Sequence, residues 1–407
     1  MTTQATFVAA RPDVLVEKPR ISSIDLMRGI VMVIMALDHV RDFIHLGAFG
    51  YNATDMQTTY PALFFTRWIT HYCAPTFVFL AGTSIFLNLQ RKPKGELSKF
   101  LLTRGLWLII LEITVIRFGI LFNTYYDVLI LQVIWVIGAS MICMAGFIHL
   151  SHRTVFAVGL VIIFGHNLFD GIQIPQGHWF GPVWGVIRTS GFFPLNESFT
   201  IFSIYPLLPW LGIMMAGFSL GKLYSKDFDA AKRQKVLLQL GFGAIALFII
   251  LRFINAYGDP APWSVQKNGM YTLMSFLNTT KYPVSLMYTL MTLGPVLVML
   301  SLMEKIKWAS LLKPFEVFGR VPMLYYILHF YIIHAVAIFL FMNKTGKSLS
   351  ELDFHFNQSF GGLTPDAGYS LAWTYFAWIS LVIFLYPVCK WYNKYKSTHT
   401  NWWLSYI

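Results

Sequence analysis

The stretch Ile24–Phe43, IDLMRGIVMVIMALDHVRDF, decides how the chain is read. As a helix rising 1.5 Å per residue it is long enough to cross the ~30 Å hydrocarbon core of a bilayer. Its ends, however, are charged: Asp25 and Arg28 at one, and Asp38, His39, Arg41 and Asp42 at the other. A charged side chain in lipid costs at least ~2.5 kcal/mol on insertion scales, so such residues normally face a protein interior or a wet cavity. Arg28 and His39 stand eleven positions apart. At about 100° per residue that is three turns plus about 20°, so both point the same way, roughly 16 Å apart. One helix thus presents a cation near one membrane face and a titratable imidazole near the other.

Composition supports the same reading along the whole chain. Of 407 residues, 56% are apolar, 17% are aromatic and only 12% are charged, a balance foreign to soluble domains. The expected class is an all-α, polytopic integral membrane bundle. The net charge of +12 would point to nucleic acid in a soluble chain, but Lys and Arg cluster here between apolar stretches, as topology signals do. No nucleic-acid partner is expected. Cys73, Cys143 and Cys389 lack metal-like spacing and sit in or beside apolar stretches, which marks them as small core residues rather than a disulfide framework or metal site. No separate signal peptide is expected, and the first span would direct its own insertion.

Length and apolar content outline about ten spans: 24–45, 72–89, 100–121, 128–148, 154–170, 200–221, 235–256, 282–303, 315–342 and 369–390. Placing the amino terminus in the cytoplasm puts most Lys and Arg of the short loops inside, so both termini are expected there. The organisation is a tail over 1–20, a transmembrane domain over 21–392 and a tail over 393–407. Inner loops are short and basic, whereas the outer ones are longer and rich in Gly, Pro and aromatics, a composition suited to capping an external substrate. Trp179, Trp184, Trp263 and Tyr51 on that side could stack on sugar rings or simply form the interfacial aromatic belt.

Ionisable residues at membrane depth narrow the search for chemistry. His39 and Asp42 are three apart and can meet on a helix, and a carboxylate that orients an imidazole suits general-base catalysis. The plainer alternative, set behind the catalytic one, is that Asp38, Arg41 and Asp42 form an ion-pair cluster that keeps the helix end wet. Arg67 and His71, at i and i+4, open the second span, where they could bind an acceptor or act as an interfacial anchor. Glu112 in RGLWLIILE must find a partner or be protonated, and a structural pairing is the favoured role. In FEVFGRVPMLYYILHFYIIH, Pro322 marks a helix start or kink. Arg320, Tyr325 and His329 beside it read as cavity lining. A proton-coupled transporter using Arg28, Glu112 and His329 is the competing reading.

Five stretches together carry a family resemblance: RISSIDLMRGIVMVIMALDHVRDF, RWITHYCAPTFVFLAG, YPLLPWLGIMMAGF, LNTTKYPVSLMYTLMTLGP and FGRVPMLYYILHF. The chain resembles, from Ile21 to Tyr392, the bacterial members of the heparan-α-glucosaminide N-acetyltransferase-like family of transmembrane acyltransferases. Arg28 and His39 also match the Arg/Lys-x10-His pattern of related integral-membrane acyltransferases. The resemblance implies an enzyme of the bacterial inner membrane that moves an acyl group, expected to be acetyl, from cytoplasmic acyl-CoA to a sugar amine or hydroxyl on the far side. Its expected partners are acyl-CoA, a glycan or small-molecule acceptor and the bilayer, with a homodimer open and no metal. On this reading His39, with Asp38 and Asp42, is catalytic. Arg28, Arg104, Arg320 and His329 serve the donor, and Arg67, His71 and Lys281 the acceptor. Lysosomal members of the family carry Asn at the position matching His39 and a catalytic His further along the next loop, where this chain has His45. The acting imidazole therefore stands between His39, His45 and His71, and helical geometry over Arg28 favours His39.

Overall fold

A computed structural model describes residues 21–48, 52–172, 174–175, 177–304, 309–365 and 368–405. The tail over 1–20, Tyr51, Lys305 and Lys307 lie outside the described residues. The chain runs α1 (Ser22–Ile44), α2 (Pro61–Thr70), α3 (Cys73–Leu89), α4 (Lys94–Leu111), a π-helical turn (Glu112–Ile116), α5 (Arg117–Leu121), β1 (Val128–Leu131), α6 (Val133–Phe147) and α7 (His152–Gly165). It continues through α8 (Gly181–Ile187), β2 (Gly191–Asn196), β3 (Phe199–Ser203), α9 (Leu207–Leu220), α10 (Ala230–Ile254), α11 (Gly269–Leu277) and α12 (Leu286–Met303). The last elements are α13 (Ala309–Arg320), α14 (Pro322–Thr345) and α15 (Leu371–Thr398).

Seven helical stretches among the described residues are long and apolar enough to cross a membrane: 61–89, 152–169, 207–224, 230–254, 286–303, 322–345 and 371–398. The protein is a polytopic helical membrane protein. α1 and α4 fall outside the seven because of their charges, and α6 because it has only 15 residues.

α1 is the hub. Seventeen of its 23 residues are buried, and it packs against α2, α3, α12, α13, α14 and α15. Its closest neighbour is α13. A Cβ on Gly29 would lie 1.7 Å from the Phe315 carbonyl oxygen, and one on Gly319 would lie 1.8 Å from that of Asp25. Only glycine lets these backbones touch, the small-residue packing expected where helices meet in lipid. Gly82 and Gly217 join α3 to α9 in the same way.

Three expected spans differ in detail. Residues 128–131 form a strand before α6, and 199–203 form another before α9; with β2 they make a sheet in the order β1-β3-β2. β1 pairs parallel with β3, and β2 antiparallel. β-branched and aromatic residues in β1 and β3 suit a strand. Pro206 then precedes α9 as a residue that can begin but not continue a helical hydrogen-bond ladder. The expected span 315–342 is two helices, broken at Val321 (φ −129°, ψ 49°), with Pro322 at the first position of α14. At the carboxyl end α15 continues to Thr398, so the helix passes the expected boundary at Tyr392.

Glu112 begins the π turn, fully buried. Its Oε2 accepts the backbone N–H of Trp135 at 3.1 Å, in the first turn of α6. A carboxylate from one helix thus meets an orphan donor at the start of another, the structural pairing expected of it, although with backbone rather than with a basic residue.

Candidate active site

A cavity of about 430 Å³ lies against the carboxyl-terminal half of α1 and is lined by Met35, Asp38, His39, Asp42 and Phe43 of that helix. Arg67 and Thr70 of α2, Cys73, Ala74 and Phe77 of α3, Ile120 of α5, Val133 of α6, and Tyr326 and Phe330 of α14 complete the helical wall. The segments between helices supply the rest, including Ala48, Gln132, Ser190, Phe202, Tyr205, Lys281, Tyr282 and Phe360. The long loops and the sheet therefore form part of the cavity wall.

His39 is seated against α14. Its ring lies 4.3 Å from Phe330, 5.2 Å from His329 and 6.5 Å from Tyr326, centre to centre. Helical spacing brings Asp38 to the neighbouring face, where it is buried and surrounded by cations. Its Oδ1 accepts from Arg41 Nη2 at 3.1 Å, its Oδ2 accepts from Arg67 Nη1, and Lys281 Nζ stands 4.0 Å from the same Oδ2. Arg41 also donates to Asp42 at 2.6 Å. Asp42 thus engages Arg41, and no hydrogen bond among the described residues joins it to His39. The expected dyad is replaced by a network in which the carboxylates hold arginines and the imidazole faces the cavity.

The other two imidazoles are elsewhere. His45, just past α1, is buried, accepts the Gly47 N–H at Nδ1 (3.1 Å) and sits in a bridge to Tyr369. His71 is buried with its ring 5.3 Å from Tyr288, whose hydroxyl donates to the His71 carbonyl. Neither lines the cavity, and neither does His329, which packs directly behind His39 with Nδ1 3.1 Å from the Tyr325 carbonyl.

Of the four donor-side residues, Arg28 and Arg320 meet at the opposite end of α1, whereas His329 lies at the His39 end. Arg28 donates to Asp25 at 3.1 Å and to the Gly319 carbonyl at 3.2 Å. Arg320 donates to Glu316 at 3.4 Å and lies 3.9 Å from Asp25. Arg104 is half-buried on α4. Arg28 reaches α13 and His39 reaches α14, so both face the same pair of consecutive helices, as their spacing requires. The cavity extends along α1 from the His39 end to Met35, and none of its lining comes from the Arg28 end. Of the aromatic residues considered for sugar stacking, Trp179, Trp184 and Trp263 do not line it. Phe202, Tyr205, Tyr282 and Tyr326 do, and sequence reasoning passed over them because Phe and Tyr are abundant throughout the chain. Gln132 is the exception: an amide inside the apolar run VLILQVIW is a signal that could have been read.

Helices long and apolar enough to cross a membrane, packed around a charged, imidazole-bearing cavity, define an integral membrane protein with an interior cavity. The chain belongs to the heparan-alpha-glucosaminide N-acetyltransferase family: residues 20–253, more than half its length, match the description "Heparan-alpha-glucosaminide N-acetyltransferase, catalytic". No match to it was found among curated proteins. Membership makes it a transferase of the membrane acetyltransferase type. The match covers α1 to most of α10, and with them Arg28, Asp38, His39, Asp42 and Arg67. Lys281, Tyr282, Tyr326, Phe330 and Phe360 complete the cavity from beyond it.

Proposed function

We propose that the protein transfers an acyl group, acetyl in the first instance, from cytoplasmic acyl-CoA to an amine or hydroxyl of a sugar-like acceptor at the opposite face, in a bacterial inner membrane. The observation that carries this reading is the meeting of His39, Asp38, Arg67 and Lys281 in one cavity, formed from helices and loops far apart in sequence. His39 is the base that takes the acceptor proton, with the neighbouring carboxylate Asp38 favouring the imidazolium that results. Arg28 and Arg320 meet the phosphates of the donor at the other end of α1, where guanidinium groups can bind them through paired hydrogen bonds. In this structure those arginines are engaged with Asp25, Glu316 and the Gly319 carbonyl, so the phosphates would take over these contacts. The acyl-bearing arm then runs along α1 toward His39, and α13 must yield where Gly29 and Gly319 touch for the arm to pass.

The test uses proteoliposomes with labelled acetyl-CoA presented on one face at a time and candidate amino sugars on the other. Label transfer should occur from the face bearing Arg28, and His39→Ala should reduce it by about 10²–10⁴-fold with folding intact. Uptake of an unmodified solute without CoA release would instead identify a carrier.

A further inference from the structure

The charged cluster beside the cavity, which includes Arg41 behind its lining, carries more cations than carboxylates. Asp38 and Asp42 face Arg41, Arg67 and Lys281, an excess of one positive charge. The two arginines take both Asp38 oxygens at hydrogen-bonding distance. Lys281 is left at 4.0 Å, the limit of an ion pair, although its side chain is only 8% exposed. The Tyr282 ring lies 5.0 Å from its ammonium group. An ammonium group largely removed from bulk water, with its carboxylate at the outer limit of an ion pair, is well placed to gain a closer negative charge from a ligand or transition state in the cavity.

The backbone beneath Lys281 is fixed. Asp259 accepts from Thr280 N–H (2.9 Å), Thr280 Oγ1 (2.7 Å) and Ser285 Oγ (2.8 Å), which brackets the turn carrying Lys281. Lys281 and Val284 then pair across that turn as an isolated bridge. A cation held on a rigid turn and facing a partly desolvated cavity meets the requirement for electrostatic preorganisation, because little reorganisation is needed when charge develops.

We propose that Lys281 is the oxyanion-stabilising cation of the acyl transfer, a role that rests on the transferase reading above and adds the group that receives the developing charge. The acceptor heteroatom attacks the thioester carbonyl carbon, forming a C–N or C–O bond, while the carbonyl π electrons move to oxygen and His39 takes the acceptor proton. The resulting alkoxide pairs with the Lys281 ammonium. Its collapse breaks the C–S bond, the electron pair leaves on sulfur, and the proton on His39 neutralises the CoA thiolate. Arg67 stays on Asp38 and keeps that carboxylate from capturing Lys281.

The experiment follows release of labelled acetate from labelled acetyl-CoA by the full-length protein in detergent, with water as acceptor, so that no natural acceptor is needed. Wild type, His39→Ala, Lys281→Met and Lys281→Arg are compared per amount of monodisperse protein. The expected result is His39-dependent release that Lys281→Met lowers by about 10²–10³-fold in kcat with the donor KM little changed, and that Lys281→Arg partly restores. Release by Lys281→Met at the wild-type rate overturns the proposal, since a lysine that only balances Asp38 would alter melting and yield but not turnover per folded molecule. A raised donor KM at unchanged kcat also overturns it, by making Lys281 a ground-state contact. If Lys281→Met does not fold, Lys281→Gln, which keeps a polar end but no charge, decides: wild-type kcat would overturn the role, and a loss of about 10²–10³-fold would support it. Release that is the same with and without His39 removes the transferase reading itself, an outcome distinct from a His39-dependent release indifferent to Lys281.

Discussion

Asp38 shows what a single residue can do here. It is 6% exposed and shared by Arg41, Arg67 and Lys281, which come from α1, α2 and the turn before α12. Asp38→Asn would leave these cations without their carboxylate. Breaking a buried ion pair from one side typically costs about 3–5 kcal/mol, so the melting temperature in detergent should fall clearly. Asp42→Asn, at a side chain 41% exposed, should cost about 0–1 kcal/mol. Equal melting of the two variants would show that the Asp38 cluster does not tie these elements together. That Asp38, His39 and Asp42 face a protein interior was legible because charge in an apolar stretch is rare. The Asp42 contact was not, because helical spacing shows which neighbours can meet and not which of them wins: Arg41, beside it in sequence, reaches Asp42 at 2.6 Å.

Among the elements, the crossing of α1 and α13 does most to position the donor end. Their backbones touch at Gly29 and Gly319, and the carbonyl of Gly319 accepts from Arg28. Gly29→Val should separate the helices and lower stability by at least the ~1–3 kcal/mol typical of overpacking, because the atom met is a backbone oxygen that cannot rotate away. Thermal melting by fluorescence-detected size exclusion would read this, and an unchanged profile would mean that the crossing is looser than described. The apolar elements were largely legible as spans, since hydrophobic length is a property of local sequence. The strands at 128–131 and 199–203 were not, because a short apolar run before a helix has the same composition whether it pairs sideways or continues the coil. Partnering with a strand about seventy positions away decided it.

For the molecule as a whole, the proposed reaction requires donor and acceptor to approach α1 from opposite ends. Arg28→Ala should raise the apparent KM for acetyl-CoA while leaving kcat at saturating donor close to wild type; an unchanged donor KM would remove Arg28 from the donor site.

The sequence alone determined that this is a multi-pass membrane protein organised on a charged first helix, with Arg28 and His39 on one face, because apolar length and helical phase are set by residues close in the chain. Only the tertiary structure decided which imidazole meets the cavity, which carboxylate gathers the cations and that Lys281 stands at the outer limit of an ion pair with it. Those outcomes depend on distances between α1, α2, α14 and the turn before α12, and such distances are set by how whole helices pack.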